Sequence, residues 1–395
     1  MARIPPPNPE PVGPWPPPDG TVLVLGGGLM GLAIAHQLAR SGRVVRLLSR
    51  RRRESAGFVA AGMLAPHAEG LTGDLLALGQ ASLAEVAPWV AAIEADSGLA
   101  CGLRHCGIVV PLATAEEALA FATASAGVVL NRRELEGEIP GIGRRWQAGL
   151  LFAQDGQIDN RRRLMRALEL ACARLGVTFQ EGAEVMGLER WPDGALRGVR
   201  LRSLEAGMQR LEASRAVLCC GAWSGQLLPQ LPVFPVKGQM LSLQAPRQAL
   251  RRVLFGPGTY LVPREDGLVV VGATSEPEAG FGEGLTPDGQ RRLQAGIAEL
   301  LPEACGWPPM ERWWGFRPGT PDEGPLLGPG PIPGLWLATG HYRNGVLLAA
   351  ITARLTRAAL DGTLTETDRR WLELFRWDRF AGGAGGGDPR LPSDA

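Results

Sequence analysis

The chain has 395 residues, 45% of them hydrophobic and 21% charged, enough for one large core or for two domains of ordinary size. Its formal net charge of +1 gives no electrostatic reason to expect nucleic acid or an anionic membrane as the main partner. Six cysteines without metal-type spacing, and only four histidines, argue against a zinc site, a disulfide framework or a His-based metal centre and fit a reducing, cytoplasmic setting.

Residues 1–20 hold nine prolines and no apolar period, so an extended, disordered lead is expected there. Thr21 to Ala39, "TVLVLGGGLMGLAIAHQLA", carries no charged residue and is about as long as a membrane span. Its four central glycines and its proline-rich rather than basic flank favour a strand, a turn and a helix instead, so neither a span nor a signal peptide is expected. Val22–Leu25 reads as a buried strand, Leu29–Arg40 as a helix with Leu32, Ala35, Leu38 and Ala39 on one side, and Val44–Leu48 as the next strand. Within this βαβ unit Gly26 allows the tight turn and Gly28 lets backbone approach a pyrophosphate. Leu29 and Met30 open the helix, and Gly31 lets helix and strand pack closely. Such a motif alone can also open a helix that holds no ligand; placed here, it predicts a dinucleotide.

The second strand runs into "RLLSRRRR" (Arg46–Arg53). Ser49 stands where an acid would grip a ribose hydroxyl, and Arg50 follows it, a pattern that mildly favours the 2′-phosphate of NADP. Lys237 is the only lysine among 41 basic residues, so the arginine run fits a solvated turn equally well. Further on, Leu164–Leu175 is an amphipathic helix followed by Gly176 and a strand Val177–Gln180, and Ala216–Cys220 is a buried strand ending at Gly221. Residues 232–275 alternate in short runs broken by Pro and Gly, as in an antiparallel sheet with a hairpin at Glu265-Asp266-Gly267. Val346–Leu360 is a helix launched from "GHYRNG". The order of elements predicts an α/β fold: a Rossmann-like domain (21–75, 146–225, 318–378) interrupted by a second α+β domain with an antiparallel sheet (76–145, 226–317), then a flexible tail (379–395).

Two late segments carry chemistry. In "GFRPGT", Arg317 sits on a close-approach backbone, and a guanidinium fork there can hold a carboxylate through two parallel hydrogen bonds; otherwise it is a surface arginine in a loop. The helix after "GHYRNG" points its N-terminus at whatever lies in front of it, an anion or a developing negative charge, unless Asn344 or Gly345 simply caps a core helix.

Together with "AAGMLAPHAEG" (Ala60–Gly70), "FPVKGQMLSL" and "TYLVPREDGLVVVGAT", these segments resemble the FAD-dependent amine oxidases of the D-amino-acid oxidase group, the glycine oxidase of thiamine biosynthesis above all. The resemblance covers roughly residues 20–360. It implies non-covalent FAD, with Ala61, Gly62, Met63 and Leu64 against the flavin and His341, Tyr342, Arg343, Asn344, Gly345, Val346 and Leu347 wrapped around it. Val185 would meet the adenosine side, Ser49 and Arg50 would lie by the ribose, and Gly221 would close its strand on the cofactor side. Arg317 would clamp the substrate carboxylate, helped by the hydroxyl of Tyr260, one of only two tyrosines in the chain.

The implied reaction is oxidative deamination of glycine or another small amino acid. A hydride passes to flavin N5, giving an imine or 2-oxo acid, and dioxygen then yields hydrogen peroxide, in supply of thiazole synthesis for thiamine. A small amino acid and dioxygen are the implied partners, and a homo-oligomer is compatible. The alternatives are a D-amino acid or sarcosine dehydrogenase with a quinone acceptor and, more remotely, an NADP-linked reductase or a non-catalytic nucleotide-binding protein. The chain departs from its relatives at Ser49, which replaces an acid, and at Ser275, where some glycine oxidases carry a bulky Met. No cysteine follows Cys305, so a covalent flavin tether in the late segments is not expected.

Overall fold

Strand Val22–Leu25 lies at the centre of a six-stranded sheet in the computed structural model, all four of its residues buried. The structure describes residues 20–124, 127–203 and 207–381. The proline-rich lead up to residue 19 and the glycine-rich tail from residue 382 lie outside the described residues. Val45–Ser49 and then Thr178–Glu181 pair parallel on one side of the central strand. Ala216–Leu218 and Leu335–Thr339 pair parallel on the other, and Leu326–Pro329 closes the sheet antiparallel. A sheet buried on both faces selects apolar runs rather than alternation, which is why "VLVL" and "LWLA" read as continuous hydrophobic stretches.

One face is covered by the helices Leu29–Arg40, Met165–Arg174 and Gly345–Asp361. The other is covered by an antiparallel sheet of Ala183–Arg190, Leu196–Ser203 and Gly207–Glu212, with Val199 and Leu201 packed against Leu23 and Leu25. A π-helical turn, Asn160–Leu164, precedes the central helix.

The second sheet has eight strands. Its order is Pro309–Gly319, Phe234–Gln244, Leu268–Gly272, Thr259–Pro263, Val253–Gly256, Ile108–Leu112, Ala148–Phe152, Val128–Asn131. Every pairing is antiparallel except that of Val253–Gly256 with Ile108–Leu112. Period-two alternation along Phe234–Gln244 sends Leu241 and Leu243 to a core under the helix Pro287–Leu300. Val236, Gly238 and Met240 face the other way, toward the cleft.

Packing shifts two of the expected domain boundaries. The helix Gly73–Ser97 buries Leu78, Val86, Trp89 and Ile93 in the core of the parallel sheet, and Ser82 Oγ donates to the Leu347 carbonyl at 2.6 Å. It goes with the Rossmann-like part, because its apolar stripe finds its partner in the last long helix. Conversely Ala148–Phe152, expected in the Rossmann-like part, is hydrogen-bonded into the eight-stranded sheet. Gly73–Ser97 is also the one described helix long and apolar enough to cross a bilayer, and this packing accounts for that composition.

Candidate active site

A cleft of about 1200 Å³ is lined from both sheets, large for a single small molecule and suited to a dinucleotide. Its floor is the first βαβ unit. Gly26 has φ 109°, and a Cβ there would meet the Cys219 carbonyl carbon at 2.7 Å. A Cβ on Gly31 would run into the Gly26 carbonyl oxygen, so Gly31 serves the turn from behind and does not line the cleft. The helix Leu29–Arg40 starts at Gly28 without a side-chain cap, leaving its first N–H groups to whatever occupies the cleft. Beside that turn the buried Ser55 hydroxyl has no partner. An uncapped helix start, a glycine cradle and an orphaned hydroxyl are what a pyrophosphate requires, and the residues present fit FAD.

Most of the expected cofactor contacts line this one cleft. Gly26, Gly28, Leu29, Met30, Ser49, Arg50, Ala61, Gly62, Met63, Val185, Gly221, His341, Tyr342, Arg343, Gly345 and Val346 all do so. Leu64 and Leu347 are instead buried in the core behind it, and Asn344 is buried with its Nδ2 unpartnered. Gly62, at φ 85°, lies so close to the Ile158 carbonyl that no side chain fits. Tyr342 adopts a left-handed φ of 43°, a conformation that costs about 1 kcal/mol or more for a non-glycine residue and concentrates at functional sites. His341 is 2% exposed, shares a 3.0 Å hydrogen bond with Thr352 Oγ1, and burial lowers its pKa to about 3. It is a neutral ring in the wall of the cleft.

The arginine run resolves into ion pairs. Arg50 lies 3.2 Å from Glu54 and 3.4 Å from Glu184 and stacks on Trp223 at 4.8 Å. Arg52 reaches Glu181 at 2.8 Å and covers the Phe179 ring. Glu181 stands opposite Ser49 in the parallel register, so an acid missing from one strand end is present on its neighbour, engaged by Arg52. Of these acids, Glu54 and Glu184 line the cleft.

The end of the cleft expected to receive the substrate is built on the large sheet. Arg317 pairs in register with Val236, and its guanidinium lies over Gly238, where a Cβ would meet Cζ at 2.8 Å. Its Nη1 donates to the Thr274 carbonyl at 3.1 Å. Tyr260 sits opposite Gly272, stacks on Phe255 at 6.2 Å, and places its hydroxyl 3.7 Å from Met240 Sδ. Burial raises the Tyr260 pKa, partly offset by the Arg317 charge, so the phenol stays protonated and can donate. Ser275 is exposed and lines the cleft.

Glu69 stands in "AAGMLAPHAEG", where the sequence alone assigns it no role. Its side chain is 7% exposed, lines the same cleft, and lies 3.9 Å from Arg343 Nε. Burial raises its pKa to about 7, opposed by Arg343 and Arg317. The loop that carries it is pinned by Asp155, fully buried, which accepts from the Ala68 backbone N–H at 2.8 Å and lies 2.6 Å from His67 Nδ1.

Residues 21–359 match the family described as "DAO: FAD dependent oxidoreductase", and the chain belongs to that family of flavin-dependent oxidoreductases. It is 43% identical over 342 residues to the "Bifunctional protein ThiO/ThiG" of Synechocystis sp., covering 85% of this chain and 50% of that protein. Thus the chain spans about half the length of the bifunctional relatives it matches. It is 32% identical over 363 residues to the glycine oxidase of Pseudomonas aeruginosa, covering 86% of this chain and 94% of the relative. Among solved structures, the glycine oxidase of Geobacillus kaustophilus superimposes with a TM-score of 0.82 at 28% identity, over 91% of this chain and 99% of that one.

Proposed function

We propose that the chain oxidises glycine or another small amino acid to the imine, with water then giving the 2-oxo acid and ammonia and dioxygen being reduced to hydrogen peroxide. The observation that carries this reading is the pairing of one guanidinium, Arg317, with a protonated phenol, Tyr260, at the substrate end of the cleft. Arg317 is held by the Thr274 carbonyl through Nη1, leaving the rest of its fork for a carboxylate, and Tyr260 adds a neutral donor. A carboxylate fixed at these groups orients the adjacent Cα–H and converts an encounter into a near-attack geometry. FAD, when bound, supplies the two-electron acceptor for that C–H bond. The glycine turn with Ser55 would hold its pyrophosphate, Ser49, Arg50 and Val185 its adenosine end, and residues 61–63 with 341–343, Gly345 and Val346 its ring. Relatives named ThiO/ThiG and glycine oxidase support the amino acid oxidation, and supply of the product to thiazole synthesis is what the sequence resemblance adds to it.

The test is anaerobic: purified holoenzyme is mixed with glycine, sarcosine and small D-amino acids, and the flavin band near 450 nm is followed. Bleaching by glycine supports the reading, and a flavin that none of these amines bleaches overturns it. Stoichiometric peroxide on admitting air supports dioxygen as acceptor; reoxidation only by a quinone would move the enzyme to the dehydrogenases.

A further inference from the structure

We propose that Glu69 is the group that receives the substrate's ammonium, binding it and taking one proton from it before the Cα–H bond is broken. This rests on the amino acid oxidation proposed above. A zwitterionic amino acid brings a negative and a positive end into the cleft, and Arg317 with Tyr260 accounts only for the first. Of the carboxylates lining the cleft among the described residues, Glu69 alone has a buried oxygen, Oε2, without a hydrogen-bond partner; its ion-pair neighbour Arg343 Nε stands at 3.9 Å, too far to donate a hydrogen bond. Glu323 is engaged by Arg343 Nη2 at 2.8 Å, and Glu54 and Glu184 are engaged by arginines at the adenosine end. An unpartnered buried carboxylate oxygen is costly unless something pairs with it. An ammonium group does so.

The charges around Glu69 suit a proton acceptor. Arg343, on the 342–344 turn, and Arg317, on the 309–319 strand, favour its anion, whereas Glu323 and Asp155 disfavour it, and Tyr260 faces the same space as a neutral donor. Burial prevails and leaves its pKa at about 7, matched to work near neutral pH. The step balances as ammonium plus carboxylate going to neutral amine plus carboxylic acid. The free amine can then donate its lone pair as the Cα–H bond breaks, and Glu69 returns its proton to water once product leaves. The loop places this group well: Asp155 holds His67 and Ala68 immediately before it.

The experiment compares wild-type and Glu69→Gln holoenzyme in stopped-flow anaerobic flavin reduction by glycine, from neutral to alkaline pH. For wild type, the second-order rate constant of flavin reduction should fall as pH drops through about 7, where Glu69 becomes protonated. For Glu69→Gln the expected loss is about 100-fold at neutral pH, shrinking steadily as the pH rises and solution supplies free amine. A carboxylate ligand lacking the amine, such as acetate, should perturb the flavin spectrum of both proteins at the same or lower concentration in the variant. A loss equal at every pH, or no loss, overturns the assignment. Should Glu69→Gln fail to hold flavin, Glu69→Asp is read instead: it should be slower yet keep the acid limb, and wild-type rates at every pH would overturn the proposal. Wild-type flavin that no amino acid reduces sinks the underlying reading and this proposal with it. Wild-type reduction alongside an unimpaired Glu69→Gln sinks only Glu69.

Discussion

Because a Cβ on Gly238 would meet Cζ of Arg317 at 2.8 Å and Nη2 at 2.9 Å, any larger residue there would push the guanidinium from its place. The arginine is aimed by two contacts, that close approach and the 3.1 Å bond to the Thr274 carbonyl. Arg317→Ala therefore removes a charge-assisted clamp without unpacking the sheet. The expected result is a KM for glycine raised at least about tenfold, with the larger loss in kcat/KM. Arg317→Lys should recover little of it, since a point charge cannot make two parallel bonds from the same place. Steady-state kinetics on flavin-loaded protein checks this, and unchanged glycine turnover would remove Arg317 from the site. At this scale the sequence was informative where a residue type has few uses. An arginine between glycines and a proline, and one of two tyrosines, both line the same cleft. A lone glutamate in a loop signals nothing until folding strips water from it and brings Arg343 and Arg317 near, which is why Glu69 emerged only from the structure.

Elements show the same division. The first βαβ unit was legible because its glycines and apolar runs are local, and it forms within a residue of the expected bounds. The helix Gly73–Ser97 was readable as a helix but not as part of the parallel-sheet layer, since its partner lies far along the chain at Gly345–Asp361. The same distance hid the loop clamp. Asp155 accepts from the backbone N–H groups of His67 and Ala68 and binds the His67 ring, all across some ninety residues of sequence. Burial raises its pKa while these donors lower it, and the loop they order runs from the cleft-lining segment at 61–63 to Glu69. Asp155→Ala leaves buried donors unsatisfied and should cost about 1–3 kcal/mol for each group stranded. The expected outcome is a lower thermal midpoint together with weaker FAD binding, read by differential scanning fluorimetry and flavin titration. A variant with wild-type stability and flavin affinity would show that the loop is held by other means.

For the whole molecule, the cleft lies where two separately cored sheets meet. The parallel sheet and its helices form one core, the eight-stranded sheet and its helices another. Direct links across the line exist: Trp313 Nε1 donates to the Val59 carbonyl at 2.9 Å, and Gly315 is glycine because Val59 occupies the space of a side chain. Yet much of the facing surface is given over to the cleft itself, with residues from both sheets along its walls. A ligand that fills such a cleft binds the folded chain and not the unfolded one. FAD at about a hundred times its dissociation constant should then add about 2.7 kcal/mol of stability. The protein stripped of flavin should unfold at a lower temperature than the holoenzyme, and its midpoint should climb with added FAD. NADPH should not raise it, because the arginines that suggested a 2′-phosphate site are already paired with Glu54, Glu184 and Glu181. Thermal unfolding with each nucleotide decides the matter: a midpoint that responds to NADPH and ignores FAD would overturn both the cofactor and the role given to those ion pairs.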